Sequence, residues 1–152
     1  MISSKEHFRN LICVEPTIEM QNAFKKNLKD FLKSNASKST NDESVIGYKA
    51  FKNEPELENI SNFIPQNAKE IEDSYLEYSV YLIPCISVDK QFNRLGRGGG
   101  FYDRLIEKVR TQNKNATIFV CCFSKQIVDY LPTKKHDQKV DGIITENKII
   151  IS

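Results

Sequence analysis

Residues 78–104 read YSVYLIPCISVDKQFNRLGRGGGFYDR, and this stretch indicates the fold class. Its first part, 78–88, is an almost continuous apolar run, which is typical of a strand covered on both faces, and Pro84 is expected to mark the end of that strand. A glycine-rich loop at 93–100 follows, and residues 101–111 then predict a helix. The stretch therefore predicts a buried strand, a loop and a helix in succession.

The rest of the chain places further elements around this stretch. Apolar residues at helical spacing predict a helix from about 17 to 34, and the segment Glu15-Pro16-Thr17 separates it from a short helix before it. Strands are predicted at 45–51, 117–123, 142–145 and 148–151, short helical pieces at 56–64 and 125–130, and polar connections at 34–44 and 65–73. Strands alternating with helices indicate an α/β fold, a three-layer sandwich with a largely parallel central sheet and helices on both faces. No domain boundary is evident, so residues 1–152 are interpreted as one domain.

The composition argues against several classes of protein. The chain has 152 residues, of which 39% are apolar, and this is enough for one buried core. Its 22 basic and 20 acidic residues give a net charge of +2, which disfavours a nucleic-acid-binding protein, because neutralising many phosphates needs a clustered excess of cations. The longest uncharged runs, 78–88 and 115–124, are too short to cross a bilayer, and the N-terminal residues lack the apolar stretch of a signal peptide, so a cytoplasmic protein is expected. The cysteines form no CxxC pair, which argues against a zinc site.

The glycine-rich loop is the segment that indicates chemistry. Four of the six glycines of the chain lie within residues 96–100, and glycines at the start of a helix let backbone N–H groups approach an anion closely. Arg94, Arg97 and Arg104 add cationic groups suited to phosphate oxygens, and Asp103 is a candidate magnesium ligand. The loop fits neither the Walker nor the dinucleotide-binding motif, because residues that those motifs require are absent. The alternative is a flexible or tight turn that happens to be rich in glycine.

The same segment resembles the signature of a known enzyme family. The string Arg94-Leu95-Gly96-x-Gly98-Gly99-Gly100-Phe101-Tyr102-Asp103-Arg104, preceded by Asp89, is similar to the signature of the 5-formyltetrahydrofolate cyclo-ligases, also called 5,10-methenyltetrahydrofolate synthetases. Downstream, the resemblance continues with Phe123-x-x-Gln126, Leu131-Pro132, His136-Asp137, Asp141 and Thr145-Glu146. Upstream it is thinner and rests on Lys5-x-x-Phe8-Arg9 and Phe51-x-x-Glu54.

The resemblance implies an activity and its cofactors. The family joins the N5-formyl group of 5-formyltetrahydrofolate to N10, with ATP and Mg²⁺, and gives 5,10-methenyltetrahydrofolate, ADP and phosphate. The implied course is phosphorylation of the formyl oxygen, ring closure by N10 and loss of phosphate, which asks the protein mainly for positioning and charge neutralisation. The expected partners are therefore the small-molecule folate and ATP, with no nucleic acid and no membrane, in a monomer or a weak homodimer.

The resemblance also assigns roles to individual residues. ATP would be held by Lys5, Arg9, Arg94, Gly96, Arg97, Gly98, Gly99, Gly100, Phe101 and Tyr102. The folate would contact Glu54 and Tyr102, Mg²⁺ would bind Asp103 and Asp137, and Arg97 and Arg104 would be catalytic. Each role has a structural alternative: solvated basic residues near the N terminus, acids at a helix start, in a loop or at a strand end, and aromatic side chains in the core.

The sequence departs from the family pattern at several positions. Cys13 stands where the family usually carries a further basic residue, Asn93 stands where glycine is common, and Arg97 lies at a variable position. The connection 64–78 is short and polar where the family has an extra segment that contacts the folate. The alternative function is therefore a catalytically impaired nucleotide- or folate-binding member of the family, unless another part of the chain or a second subunit completes the folate site.

Overall fold

The computed structural model describes residue 5 and residues 14–35, 42–133 and 138–152. Two α-helices lie in the ranges 14–35 and 42–133, α1 (Ile18–Asn35) and α2 (Phe101–Gln112), with 3-10 helices at Asp42–Ser44, Asp73–Leu76 and Ser124–Gln126. The strands are β1 (Val45–Tyr48), β2 (Asn62–Ile64), β3 (Val80–Ile83), β4 (Ser87–Asp89), β5 (Arg94–Leu95), β6 (Thr117–Cys121), β7 (Ile127–Val128), β8 (Gly142–Ile144) and β9 (Ile149–Ile151). The predicted short helix before residue 17 lies largely outside the described residues, as does much of the predicted loop at 34–44.

The strands form two sheets. The larger sheet has six strands in the order β2-β1-β3-β6-β8-β9, and all neighbours are parallel except the antiparallel pair β8–β9. The smaller sheet has the order β5-β4-β7, with β4 antiparallel to β5 and parallel to β7. The predicted α/β fold with a largely parallel central sheet is confirmed.

The two helices cover opposite faces of the larger sheet. Because side chains alternate along a strand, Tyr81 and Ile83 of β3 point to one face, where they join the core cluster that contains the buried residues of α2. Leu82, between them, points to the other face and joins the cluster that contains Phe24 and Leu28 of α1. The predicted three-layer sandwich is therefore confirmed. Within the described residues, no helix is long and apolar enough to cross a membrane.

The predicted helical piece at 56–64 is wrong. Asn59 has a φ of 66°, in the left-handed region that interrupts a right-handed helix, and Asn62–Ile64 then pair with β1 as β2. The apolar side chains of Leu57 and Ile60 instead lie over Gly47 of β1, where an added Cβ would come within 2.5 and 2.6 Å of their Cδ1 atoms. The glycine therefore leaves the room that these two side chains fill.

Two other predicted elements differ in form. The apolar run at 78–88 is divided between β3 and β4, which belong to different sheets, and Pro84 directly follows β3 as expected. The predicted helical turns at 125–130 are one 3-10 turn, Ser124–Gln126, followed by the short strand β7. Strand pairing with β4 decides the conformation of this second segment, and no local pattern encodes that pairing.

Candidate functional site

A cavity of about 460 Å³ lies at the carboxyl edge of the larger sheet. Strand β2 lies on one side of β1, whereas β3 and the strands after it lie on the other side, so the strand order reverses at β1. In open α/β sheets ligands bind in the crevice at such a reversal. Segments that follow β1, β2 and β3 all contribute to the wall: Phe51 and Glu54, then Pro65, Gln66 and Ala68, then Pro84, Cys85 and Ile86.

The structure brings most of the predicted site residues together around this cavity. The described residues predicted to bind ATP all line it: Lys5, Arg94, Gly96, Arg97, Gly98, Gly99, Gly100, Phe101 and Tyr102. Glu54 and Asp103 line it as well. Arg9 and Asp137 lie outside the described residues, so their predicted roles stay predictions. The roles of the other residues also stay predictions, but a shared cavity is the arrangement that those roles require.

The glycine loop borders open space. Gly98 and Gly100 have φ values of 107° and 75°, a conformation that side-chain-bearing residues rarely adopt. A Cβ added at Gly99 would meet no atom within 4 Å. Gly100 is the N-cap of α2, so the loop leads directly into the end of the helix that favours an anion. The loop is therefore not a turn packed against its own side chains.

Arg94 lies beneath the loop. Its side chain is only 4% exposed, its Nε donates a 2.6 Å hydrogen bond to the carbonyl oxygen of Pro84, and its Nη1 lies 3.6 Å from Oδ1 of Asp103. The guanidinium carbon is 5.3 Å from the centre of the Tyr102 ring, within cation–π range. A Cβ added at Gly96 would lie 2.9 Å from Nη1 of Arg94, so glycine is the residue that lets the guanidinium lie here.

Glu54 is held on the opposite wall by the segment that follows β1. The hydroxyl of the buried Tyr48 donates a 2.7 Å hydrogen bond to the carbonyl oxygen of Pro55. From α1, Nε2 of Gln21 donates to the carbonyl oxygen of Glu54, and Oε1 of Gln21 accepts from the backbone N–H of Glu56. Strand β1 and helix α1 therefore fix the backbone on both sides of Glu54.

The Glu54 carboxylate is buried but only partly paired. It is 5% exposed, and its Oε1 accepts a 2.9 Å hydrogen bond from Nη2 of Arg97. Its Oε2 has no hydrogen-bond partner in the described part of the chain. Burial raises the pKa of Glu54, and Arg97 and Arg94 oppose that rise. A buried acceptor without a partner is costly, so this oxygen indicates a place for a donor that a ligand supplies.

Arg97 crosses the cavity from the glycine loop to Glu54. Its guanidinium carbon lies 4.8 Å above the centre of the Phe51 ring, and its side chain is 56% exposed. Arg104, by contrast, is not among the residues that line the cavity. It donates hydrogen bonds to the carbonyl oxygens of Gly99 and Lys69, at 3.0 and 3.3 Å, and so ties the loop to the segment after β2. This placement favours a supporting role for Arg104 over the predicted catalytic one.

Asp103 is suited to a metal ion that the ligand also binds. Its side chain is 35% exposed in the first turn of α2, at the edge of the cavity. No group of three or more potential metal ligands occurs among the residues that the structure describes. Mg²⁺ commonly takes one or two carboxylates and completes its coordination with phosphate oxygens and water, so a single carboxylate beside a phosphate site fits that ion.

Phe101 and Tyr102 both line the cavity and contact each other edge to face, with ring centres 5.0 Å apart. Tyr102 is half-buried and packs against both core clusters. Burial raises the pKa of Tyr102 far above its ordinary value, so the phenol is neutral at physiological pH. The two alternatives from the sequence, core residue and cavity residue, both apply to Tyr102.

Sequence reasoning missed one wall of the cavity and the function of two signature residues. Pro65, Gln66 and Ala68 lie in a connection that showed no signal beyond its polarity. Asp89 is fully buried and accepts hydrogen bonds from Gln91, Asn93 and Leu131, so it organises the turn before β5. The side chain of Gln126 accepts a hydrogen bond from the backbone N–H of Phe123 and donates to the carbonyl oxygens of Cys85 and Ile86. It so holds the segment after β3 in place.

The fold and the cavity are typical of α/β proteins that bind an anionic ligand at the carboxyl edge of a parallel sheet. A family model described as the 5-formyltetrahydrofolate cyclo-ligase family matches residues 16–146. The chain belongs to this family, and the resemblance stated from the sequence is confirmed.

Curated relatives support the assignment over part of their length. A 5-formyltetrahydrofolate cyclo-ligase from Haemophilus influenzae is 37% identical over 91 residues, which are 60% of this chain and 42% of that protein. The mouse 5-formyltetrahydrofolate cyclo-ligase is 36% identical over 66 residues, 43% of this chain and 32% of that protein. The matched region thus spans less than half of the length of these two relatives.

Solved structures show the same fold over nearly the whole chain. The 5,10-methenyltetrahydrofolate synthetase from Mycoplasma pneumoniae has a TM-score of 0.68 at 20% identity, and the match covers 94% of this chain and 96% of that one. The Aquifex aeolicus 5,10-methenyltetrahydrofolate synthetase has a TM-score of 0.69 at 18% identity, and the match covers 97% of this chain and 90% of that one. The arrangement of helices and sheets is therefore shared with both.

Proposed function

We propose that the protein converts 5-formyltetrahydrofolate to 5,10-methenyltetrahydrofolate, with ATP giving ADP and phosphate. One observation carries this proposal: a glycine loop beside a buried arginine shares a cavity with a buried carboxylate, and the Oε2 atom of that carboxylate has no hydrogen-bond partner among the described residues. The first feature suits a polyphosphate, and the second suits a ligand with N–H donors. A cyclo-ligase that uses ATP needs sites for both.

On the nucleotide side, the backbone N–H groups of the loop and the start of α2 hold the phosphates. Arg94 supplies a fixed positive charge beneath the loop, and Lys5 lines the same cavity. Asp103 would hold Mg²⁺, an ion that would supply positive charge to offset the negative charge of the transferred phosphoryl group.

On the folate side, Glu54 accepts hydrogen bonds from the paired N–H donors of the pterin ring. A carboxylate matches two parallel donors in geometry, and burial strengthens the interaction because water does not compete. For the reaction, the formyl group of the folate must reach the γ-phosphate within this cavity.

The reaction needs ATP because the formyl oxygen is a poor leaving group. The formyl oxygen attacks the γ-phosphorus, the bond to the β,γ-bridging oxygen breaks, and ADP leaves. N10 then adds to the activated formyl carbon, N10 loses its proton, and the C–O bond breaks to release phosphate and form the methenyl bridge. The protein contributes position and charge, and no covalent nucleophile of the chain takes part.

The alternative, a catalytically impaired binding protein, rests on the short connection at 64–78. That connection contributes Pro65, Gln66 and Ala68 to the cavity wall, and Arg104 is bonded to the carbonyl oxygen of Lys69 within it. This chain thus contributes residues to the wall that the sequence leaves in question, which supports an active enzyme.

The test is the formation of methenyltetrahydrofolate from 5-formyltetrahydrofolate, followed by its absorbance. We expect product with ATP and Mg²⁺, and none when either is omitted or when ADP replaces ATP. Folded protein that binds both ATP and 5-formyltetrahydrofolate but forms no product would support the impaired binding protein instead.

A further inference from the structure

One cation joins the two halves of the cavity. Arg97 belongs to the glycine loop, on the side suited to phosphates, yet its Nη2 lies 2.9 Å from Oε1 of Glu54 on the opposite wall. Its guanidinium also lies over the ring of Phe51. In the ligand-free protein, therefore, a residue of the nucleotide side occupies the carboxylate of the folate side.

This contact leaves Glu54 incomplete as a receptor. A pair of parallel N–H donors needs both carboxylate oxygens, but Oε1 already accepts from Arg97, and only Oε2 lacks a partner among the described residues. A folate and Arg97 thus compete for Oε1. The competition has a structural basis in the ligand-free state, since a buried carboxylate needs a donor or a cation to offset its lost hydration.

A bound nucleotide would offer Arg97 phosphate oxygens as partners in place of the Glu54 carboxylate. Its side chain is 56% exposed and is flanked in sequence by Gly96 and Gly98, so it is not confined by core packing. A polyphosphate in the loop presents several negative charges against the single charge of Glu54, and arginine pairs with phosphate oxygens in bidentate geometry. Phosphates beside the loop therefore draw the guanidinium away from Glu54.

We propose that Arg97 is a positioning residue that couples the two substrates: it holds Glu54 in the ligand-free protein and releases Glu54 when a nucleotide binds. The folate then binds more tightly to the nucleotide complex than to the free protein. This inference rests on the proposed function, because it takes ATP and 5-formyltetrahydrofolate as the two ligands. A ligand shifts such an equilibrium only through its differential affinity for the two states, which here is the phosphate–Arg97 contact.

The test is calorimetric titration of the protein with 5-formyltetrahydrofolate, with and without Mg²⁺ and the non-hydrolysable analogue β,γ-imido-ATP. For the unaltered protein we expect the analogue to lower the folate Kd at least about five-fold, the lower end of typical coupling between sites. In Arg97→Met we expect the coupling factor to fall below about two-fold, with tighter folate binding than the unaltered protein in the absence of nucleotide.

Arg110→Met is the matched control. It removes another arginine that pairs with a carboxylate, at 2.8 Å from Asp141, and Arg110 does not line the cavity. We expect it to keep the full coupling factor, with circular dichroism confirming that both variants fold.

The outcomes separate this inference from the proposed function. Independent binding of both ligands to the unaltered protein overturns the coupling and leaves the proposed function standing. Full coupling in Arg97→Met, or weaker folate binding by that variant without nucleotide, overturns the role of Arg97. No folate binding under any condition overturns the proposed function itself.

Discussion

Two buried carboxylates, Asp89 at the end of β4 and Glu54 in the segment after β1, have opposite surroundings. Asp89 accepts four hydrogen bonds from its own chain, two at each oxygen: Oδ1 from the backbone of Gln91 and Asn93, and Oδ2 from Nδ2 of Asn93 and the backbone of Leu131. Glu54 has Arg97 at one oxygen and no partner in the described chain at the other.

The comparison separates a carboxylate whose acceptor positions the fold fills from one that keeps an acceptor position open among the described residues. Both acids belong to segments that resemble the family signature, so the sequence alone does not distinguish them. The number of hydrogen bonds that each carboxylate accepts distinguishes them, because a carboxylate whose acceptor positions are all filled by the fold has none left for a ligand. We therefore expect substitution of Asp89 to reduce stability and substitution of Glu54 to reduce activity.

The largest expected effect is that of Asp89→Ala. The change leaves several buried N–H donors without an acceptor, and we expect the free energy of unfolding to fall by about 3–5 kcal/mol. Urea denaturation measures the change. The matched control is Asp129→Ala, whose carboxylate is 87% exposed and pairs with an exposed lysine, and we expect it to leave the free energy of unfolding almost unchanged. Equal effects for the two variants would contradict the comparison.

Glu54→Gln is expected to reduce activity with little loss of stability. The amide keeps one acceptor but turns an N–H₂ group toward the donors of the folate, and we expect kcat/KM for the folate to fall about 100-fold, equivalent to about 2.7 kcal/mol. Steady-state kinetics at saturating ATP give this value. A variant with undiminished kcat/KM would remove Glu54 from the folate site.

The same variant should also change how the free energy of unfolding depends on pH. Because burial raises the pKa of Glu54, the folded protein holds this proton more tightly than the unfolded chain does. This group's contribution to stability is therefore greatest at low pH and is lost as pH rises from the ordinary glutamate pKa through the raised one. Glu54→Gln should lack this component, so the difference in free energy of unfolding between variant and unaltered protein should change in the variant's favour as pH rises.

The smallest expected effects on stability are those of two alanine substitutions in the glycine loop, which can be compared with each other. Gly100 has a φ of 75°, and an added Cβ would lie 3.1 Å from Nη1 of Arg104, so we expect Gly100→Ala to cost about 1–2 kcal/mol of stability. Gly99→Ala places its methyl group in open space and should change stability by less than about 0.5 kcal/mol. Thermal denaturation compares the two. A larger loss for Gly99→Ala would mean that the loop does not border a cavity.

Local signals explain the parts of the fold that the sequence predicts well. The apolar run at 78–88, the glycines at 96–100 and the helix that begins near 101 are each encoded within a few neighbouring residues, and the structure has β3, the loop and α2 in these places. The prediction that the loop, Glu54 and Asp103 share a site depended on the family resemblance, and the cavity that they all line agrees with it.

The parts that sequence reasoning missed depend on contacts between distant residues. Leu57 and Ile60 show helical spacing, but they lie over a glycine of β1 and the chain turns at Asn59. The contact of Arg97 with Glu54 joins residues 43 positions apart, and no periodic pattern encodes it. Nor does hydropathy show that the polar connection after β2 forms a wall of the cavity.

Gly47 of β1 lies beneath the loop that carries Glu54. The Cδ1 atoms of Leu57 and Ile60, which lie over this glycine, are the ends of flexible side chains, so an alanine in the middle of β1 would need only these two side chains to shift and repack. A larger side chain would need more room at the same place. A random-mutagenesis screen for lost folate turnover should thus recover bulky substitutions of Gly47 more often than alanine.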